Sequence, residues 1–115
     1  MVSLVIRLQF EGWHRWPDAP QEYDYLSNLH RHMFHVTAWF RVDDMVEPHN
    51  HRQVEFIDVK RQVLDWCRDK MDDASFDPEV LNWSCERWAR EICHEFRFES
   101  VEVSEDGENG ALYSP

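Results

Sequence analysis

Hydrophobic period changes twice along this chain, and that pattern leaves few folds open to it. Val2-Ser3-Leu4-Val5-Ile6-Arg7-Leu8-Gln9-Phe10 is half alternating, which fits a strand with one buried face. His30 to Val42 is rich in aromatic and β-branched residues and reads as a second strand. From Asp58 to Met71 the period lengthens, and Val59, Val63, Trp66 and Cys67 form an apolar stripe at helical spacing. Asp72 to Asn82, with Pro78, breaks that helix. Ser84 can cap a second one, Ser84 to Phe96, whose stripe is Cys85, Trp88, Ala89, Ile92 and Phe96. Alternation returns from Phe98 to Ser104. Glu108-Asn109-Gly110 has turn chemistry, and Ala111-Leu112-Tyr113 reads as a short last strand. The order β-β-α-α-β-β predicts an α+β fold. Two polar stretches, Glu11 to Ser27 and Asp43 to Arg52, read as loops; the first is long enough to be a functional one.

The chain has 115 residues, the size of one domain, and 43% of them are apolar, so a core is within reach. A net charge of −11, with Lys60 and Lys70 as the only lysines, argues against nucleic acid as a partner. The same field repels an anionic substrate unless Arg15 and Arg31 correct it locally. No apolar run approaches the ~20 residues that span a membrane, and Met1 to Phe10 reads as a strand, not a leader. Cys67, Cys85 and Cys93 show no metal or redox spacing. They read as buried thiols in a reducing, cytoplasmic compartment.

The sharpest local feature is Leu29-His30-Arg31-His32. Residues two apart on a strand share a face, so His30 and His32 present two imidazoles side by side. Neutral imidazole is a good zinc ligand, and a catalytic zinc usually takes three protein ligands and keeps one position open. His14, at the loop entry after the first strand, can swing in as the third. An HxH tripeptide does not by itself specify a metal. His49-Asn50-His51 has the same spacing in a polar loop beside Pro48 and reads as solvated. His35 lies on the strand face opposite His30 and His32, and His94 lies near a helix end where it can meet the dipole; both read as structural.

Six segments, in order, resemble motifs of the 6-pyruvoyl- and 6-carboxy-tetrahydropterin synthase family across nearly the whole chain. Phe10-Glu11-Gly12-Trp13-His14 stands where that family has F-x-A-A-H. Leu29-His30-Arg31-His32-Met33-Phe34 stands for L-H-G-H-N-Y, and Val54-Glu55-Phe56-Ile57-Asp58-Val59-Lys60 for V-D-F-x-D-L-K. Ser84-Cys85-Glu86-Arg87-Trp88-Ala89 loosely matches T-A-E-N-L-A. Val101-Glu102-Val103-Ser104-Glu105-Asp106 matches V-x-V-x-E-T, and Ala111-Leu112-Tyr113 matches A-x-Y. The resemblance implies one domain over 1–115 with the T-fold: a four-stranded antiparallel sheet carrying two helices on one face. It implies zinc on His14, His30 and His32, a homo-oligomer (trimer or hexamer) with sites at subunit interfaces, and Glu105 holding the N–H groups of a pterin ring. A carboxylate suits that task because it accepts two parallel N–H donors; the plain alternative for Glu105 is a solvated turn acid.

The chain also departs from the family. The proton-shuttling Cys, four residues before the first His of H-G-H, is replaced by Leu26. The L-D-H motif aligns either with Met71-Asp72-Asp73 or with Phe76-Asp77-Pro78, so Asp72 stands for its Asp in the first placement, and its His is missing in both. Arg31 replaces the Gly of H-G-H and brings bulk and charge. If the protein turns over, another base is required; Glu22 and Asp24 precede His30 and are candidates, against the plainer reading of both as loop acids. The expectation is a zinc-dependent lyase acting on dihydroneopterin triphosphate or a related pterin, on a route to 7-deazaguanine (queuosine-type) compounds or to a cleaved pterin. The alternatives are a catalytically depleted zinc- and pterin-binding protein, and a structural partner subunit.

Overall fold

A computed structural model describes residues 2–42 and 55–115. The expected loop at Asp43 to Arg52, with His49 and His51, lies outside them, as does Val54. Four strands form one antiparallel sheet in the order β1-β2-β3-β4: β1 Val2–His14, β2 His30–Val42, β3 Ser100–Glu105 and β4 Asn109–Tyr113. Between β2 and β3 lie helix α1, Phe56–Asp72, and helix α2, Cys85–Phe96. The order β-β-α-α-β-β is the expected one, with three short 3-10 turns added at Gln21–Ser27, Asp73–Ser75 and Pro78–Asn82.

The sheet has one apolar face because three strands keep the same parity in register. Ile6 pairs with Ala38, Leu8 with Val36 and Phe10 with Phe34, while Val36 pairs with Val103 and Ala38 with Val101. All of these side chains are buried. They close onto Val63 and Cys67 of α1 and onto Trp88, Ala89 and Ile92 of α2, so both helices cover that one face. Rings fill its centre: Phe34 lies 5.4 Å from Phe10, and Trp88 reaches Phe10 at 5.0 Å and Trp83 at 4.7 Å, centroid to centroid. Burying several aromatics in contact accounts for much of the stability of a core this small.

Local chemistry sets the helix ends. The Ser84 hydroxyl accepts from the Arg87 backbone N–H at 3.2 Å, so α2 starts where its capping residue predicts. It ends at Arg97, in the left-handed region with φ of 56°. The Glu55 carboxylate caps α1 by accepting from the Ile57 N–H at 3.2 Å. All three cysteines are buried free thiols, as read from their spacing. Among the described residues no helix is long and apolar enough to cross a membrane.

Several boundaries differ from expectation: α1 starts at Phe56, β3 covers Ser100–Glu105, and the last turn falls at 106–108, so that Asn109 and Gly110 open β4; the largest shift is in β1. β1 runs on through Glu11, Gly12 and Trp13 to His14, past the Phe10 where alternation of bulky residues stops. Gly12 supplies no side chain to mark the pattern. The ring of Phe34 fills its place on the inner face, since a Cβ at Gly12 would lie 2.6 Å from two of that ring's atoms.

Candidate metal centre

His14 is therefore not on a mobile entry loop. It is the last residue of β1 and pairs directly with His30, the first of β2, while Gly12 pairs with His32. All three imidazoles fall on the inner face at one end of the sheet. Their nearest ring nitrogens lie within 4.8 Å of one another, and the group can hold a metal ion. His14 stands 4.5 Å from His30 and 5.0 Å from His32, centroid to centroid.

Each imidazole is fixed through Nδ1 by an oxygen that can only accept. The Nδ1–H of His14 donates to the Trp83 carbonyl at 3.0 Å, that of His30 to the Asn28 carbonyl at 2.8 Å, and that of His32 to Oδ2 of Asp106 at 2.7 Å. A proton on Nδ1 leaves Nε2 with its lone pair in the neutral ring, so all three Nε2 atoms are available as ligands. Orientation of a metal-binding His by an oxygen on its other nitrogen is the usual supporting arrangement. His14 is buried, and burial pushes its imidazole below the ordinary value; the Trp83 carbonyl and the charge of Glu105 only partly oppose this. It is kept in the neutral form that binds metal.

Register brings Glu105 to the same place. Glu105 pairs with Phe34 on β2, two residues along the same face from His32. Its Oε1 lies 3.2 Å from Nε2 of His14 and its Oε2 lies 3.5 Å from Nε2 of His32. Burial, with the charges of Glu105 and Glu86, pushes the Cys85 thiol at the start of α2 up to about 12, so it stays protonated.

His14, His30 and Glu105 open onto a cleft of about 570 Å³ whose other lining residues are Arg15, Trp16, Leu26, Asn82, Ser84 and Glu86; His32 and Cys85 stand outside that lining. The segment after β1 forms one wall by folding back on the turn before α2. The Arg15 N–H donates to the Leu81 carbonyl at 2.8 Å, its Nε donates to Oδ1 of Asn82 at 3.0 Å, and the Trp16 N–H donates to the Leu26 carbonyl at 2.8 Å.

The structure thus brings together His14, His30, His32 and Glu105, and leaves out the other candidates. Glu22 and Asp24 are exposed on the 3-10 turn Gln21–Ser27, and neither lines the cleft. Asp72 is exposed at the end of α1 and does not line it either. Arg31 has the wrong parity: it points from the opposite face, where its Nη2 meets Oε2 of Glu11 at 3.2 Å. Arg15 is the cation in the cleft wall instead. His94, expected to meet a helix dipole, also bonds to the hydroxyl of Tyr113 at 2.8 Å.

Sequence reasoning missed Asp106, Glu86 and Asn82. The signal for Asp106 was its place beside Glu105 at the end of an alternating strand. Its Oδ1 also accepts from the Met33 N–H at 2.9 Å, and its own N–H donates to the Met33 carbonyl at 2.7 Å, so it prolongs the β2–β3 ladder while holding His32. No protein-family model matches the chain, and no curated protein matches it at significant similarity.

Proposed function

We propose that this protein binds zinc through His14, His30 and His32 and acts as a tetrahydropterin synthase-like protein on dihydroneopterin triphosphate or a related pterin. The observation that carries this reading is the set of three Nδ1-anchored imidazoles grouped closely enough to hold a metal ion, two of them with Nε2 beside the Glu105 carboxylate. Imidazole donors suit zinc among the first-row metals, and three of them leave a position for substrate. Bound there, zinc would act as a Lewis acid on the oxygens of a substrate side chain.

The chain's own residues would divide the remaining work. Glu105 has the chemistry to accept two N–H donors from a guanidine-like ring edge. Arg15, steadied by Asn82, offers the rest of its guanidinium to an anionic substituent in a strongly acidic protein. Acid–base duty falls to Glu86, on the first turn of α2, because it lines the cleft where Glu22, Asp24 and Asp72 do not. The homo-oligomeric trimer or hexamer implied by the family resemblance belongs to the same reading.

A second reading, binding without turnover, is favoured by Leu26. It lines the cleft, and an alkyl side chain cannot move a proton where the resembled family uses a cysteine.

The test is metal analysis of purified protein beside a His30→Ala/His32→Ala variant, then incubation with dihydroneopterin triphosphate. About one zinc per chain, lost in the variant, is the expected result. A 6-carboxy- or 6-pyruvoyl-tetrahydropterin product supports the lyase. Pterin recovered bound but unchanged supports the binding protein. No zinc after reconstitution refutes both.

A further inference from the structure

Two imidazole nitrogens flank the Glu105 carboxylate: Nε2 of His14 lies 3.2 Å from Oε1 and Nε2 of His32 lies 3.5 Å from Oε2. With every Nδ1–H committed to an oxygen, no neutral imidazole has a proton left for Glu105. A neutral imidazole lone pair at 3.2 or 3.5 Å from a carboxylate oxygen is repelled by it. Among the described residues, the ion-pair contacts of Glu105 are with His14 and His32 and with no Lys or Arg. A cation bound by the neutral imidazoles would turn that repulsion into attraction.

The distances fit a particular role for that cation. Ligands around a tetrahedral metal with bonds of about 2.0–2.1 Å sit about 3.3–3.4 Å apart, since the tetrahedral edge is about 1.63 times the bond length. Oε1 of Glu105 lies 3.2 Å from Nε2 of His14 and Oε2 lies 3.5 Å from Nε2 of His32, so each oxygen stands near that edge from one of two of the three imidazoles. From the metal reading above, we infer that Glu105 is the fourth metal ligand of the resting protein. It closes the coordination position that a substrate needs, and it must swing away before substrate reaches the metal. Glu105 then has two exclusive tasks, capping the metal when the cleft is empty and holding the ligand's N–H groups when it is filled. The side chain is about a third exposed, so there is room for it to move toward the cleft.

The test uses the cobalt(II)- and zinc-loaded full chain, with Glu105→Gln as the isosteric variant and Glu105→Ala as the truncation. Azide serves as the probe of an open position. The expected results are a visible cobalt spectrum that changes in both variants, azide bound more tightly by cobalt in Glu105→Ala than in the wild type, and zinc held about tenfold or more weakly by Glu105→Gln in chelator competition. Unchanged spectra, with zinc and azide affinities within about twofold of wild type, overturn the assignment while leaving the three-histidine site standing. Failure of the wild type to take up either metal overturns the site itself, and this assignment with it. Circular dichroism of each variant ties any loss of metal to the side chain and not to unfolding.

Discussion

Replacing Asp106 with Asn isolates what a single carboxylate does for the candidate metal site. Asp106 uses both oxygens: Oδ2 accepts from Nδ1 of His32 at 2.7 Å and Oδ1 accepts from the Met33 N–H at 2.9 Å. Asn keeps the size, and it tolerates the left-handed φ of 56° found here. It has one oxygen, however, so either His32 or Met33 faces an NH₂ group that cannot accept. If His32 is the one released, its ring can turn or take the other tautomer, which puts the proton on Nε2 and withdraws that nitrogen from the metal. Loss of such an orienting oxygen typically weakens metal binding about 10- to 100-fold, and Asp106→Asn is expected to fall in that range in a zinc competition assay. Nitrogen NMR of the metal-free protein reads the cause directly: His32 is protonated at Nδ1 in the wild type and loses that single tautomer in the variant. Zinc affinity within about twofold of wild type, with His32 still protonated at Nδ1, would refute the reasoning.

Three further outcomes follow from the same structure. Hydrogen bonds from His32 and then Met33 hold the Asp106 carboxyl below its ordinary value. Its contribution is therefore present above the ordinary carboxyl range and lost as pH falls through its lowered value; urea midpoints of chelator-treated wild type and Asp106→Asn should differ at neutral pH and converge in acid. Ser84→Ala removes the oxygen that accepts from the Arg87 N–H at 3.2 Å and should cost about 1 kcal/mol in urea denaturation. Burial pushes all three thiols up, so iodoacetamide near pH 8 should leave Cys67, Cys85 and Cys93 unmodified in native protein and alkylate them in denaturant.

Much of the fold was legible because period and caps are local properties. The limits His30 and Val42 of β2 were readable from its aromatic and β-branched run, and Ser84 marked the start of α2. The shared face of His30 and His32 followed from spacing alone. The same rule places Arg31 on the other face, and the expectation of its charge near the metal ran against that parity. What pattern could not give was register. Gly12 hides the continuation of β1, so His14 read as a loop residue. That Glu105 arrives beside His14 depends on the pairing of Glu105 with Phe34, which no local pattern encodes. The carbonyls of Trp83 and Asn28 that orient two of the imidazoles belong to the backbone, where side-chain identity carries no signal. The loop acids Glu22 and Asp24 were plausible by position, but the 3-10 turn leaves both in solvent.

The direct pairing of His14 with His30 and of Gly12 with His32 has a consequence for how the sheet assembles. A hairpin as long as β1–β2 can pair in several offsets, and a shift of two residues keeps the apolar parity intact. Such a shift would carry His14 past His30 by about 7 Å, at about 3.4 Å of rise per residue, and scatter the ligand set. Any ion held by the three histidines would stabilise one alignment of the two strands and none of its neighbours, so chelation would proofread the pairing that the hydrophobic face alone leaves ambiguous.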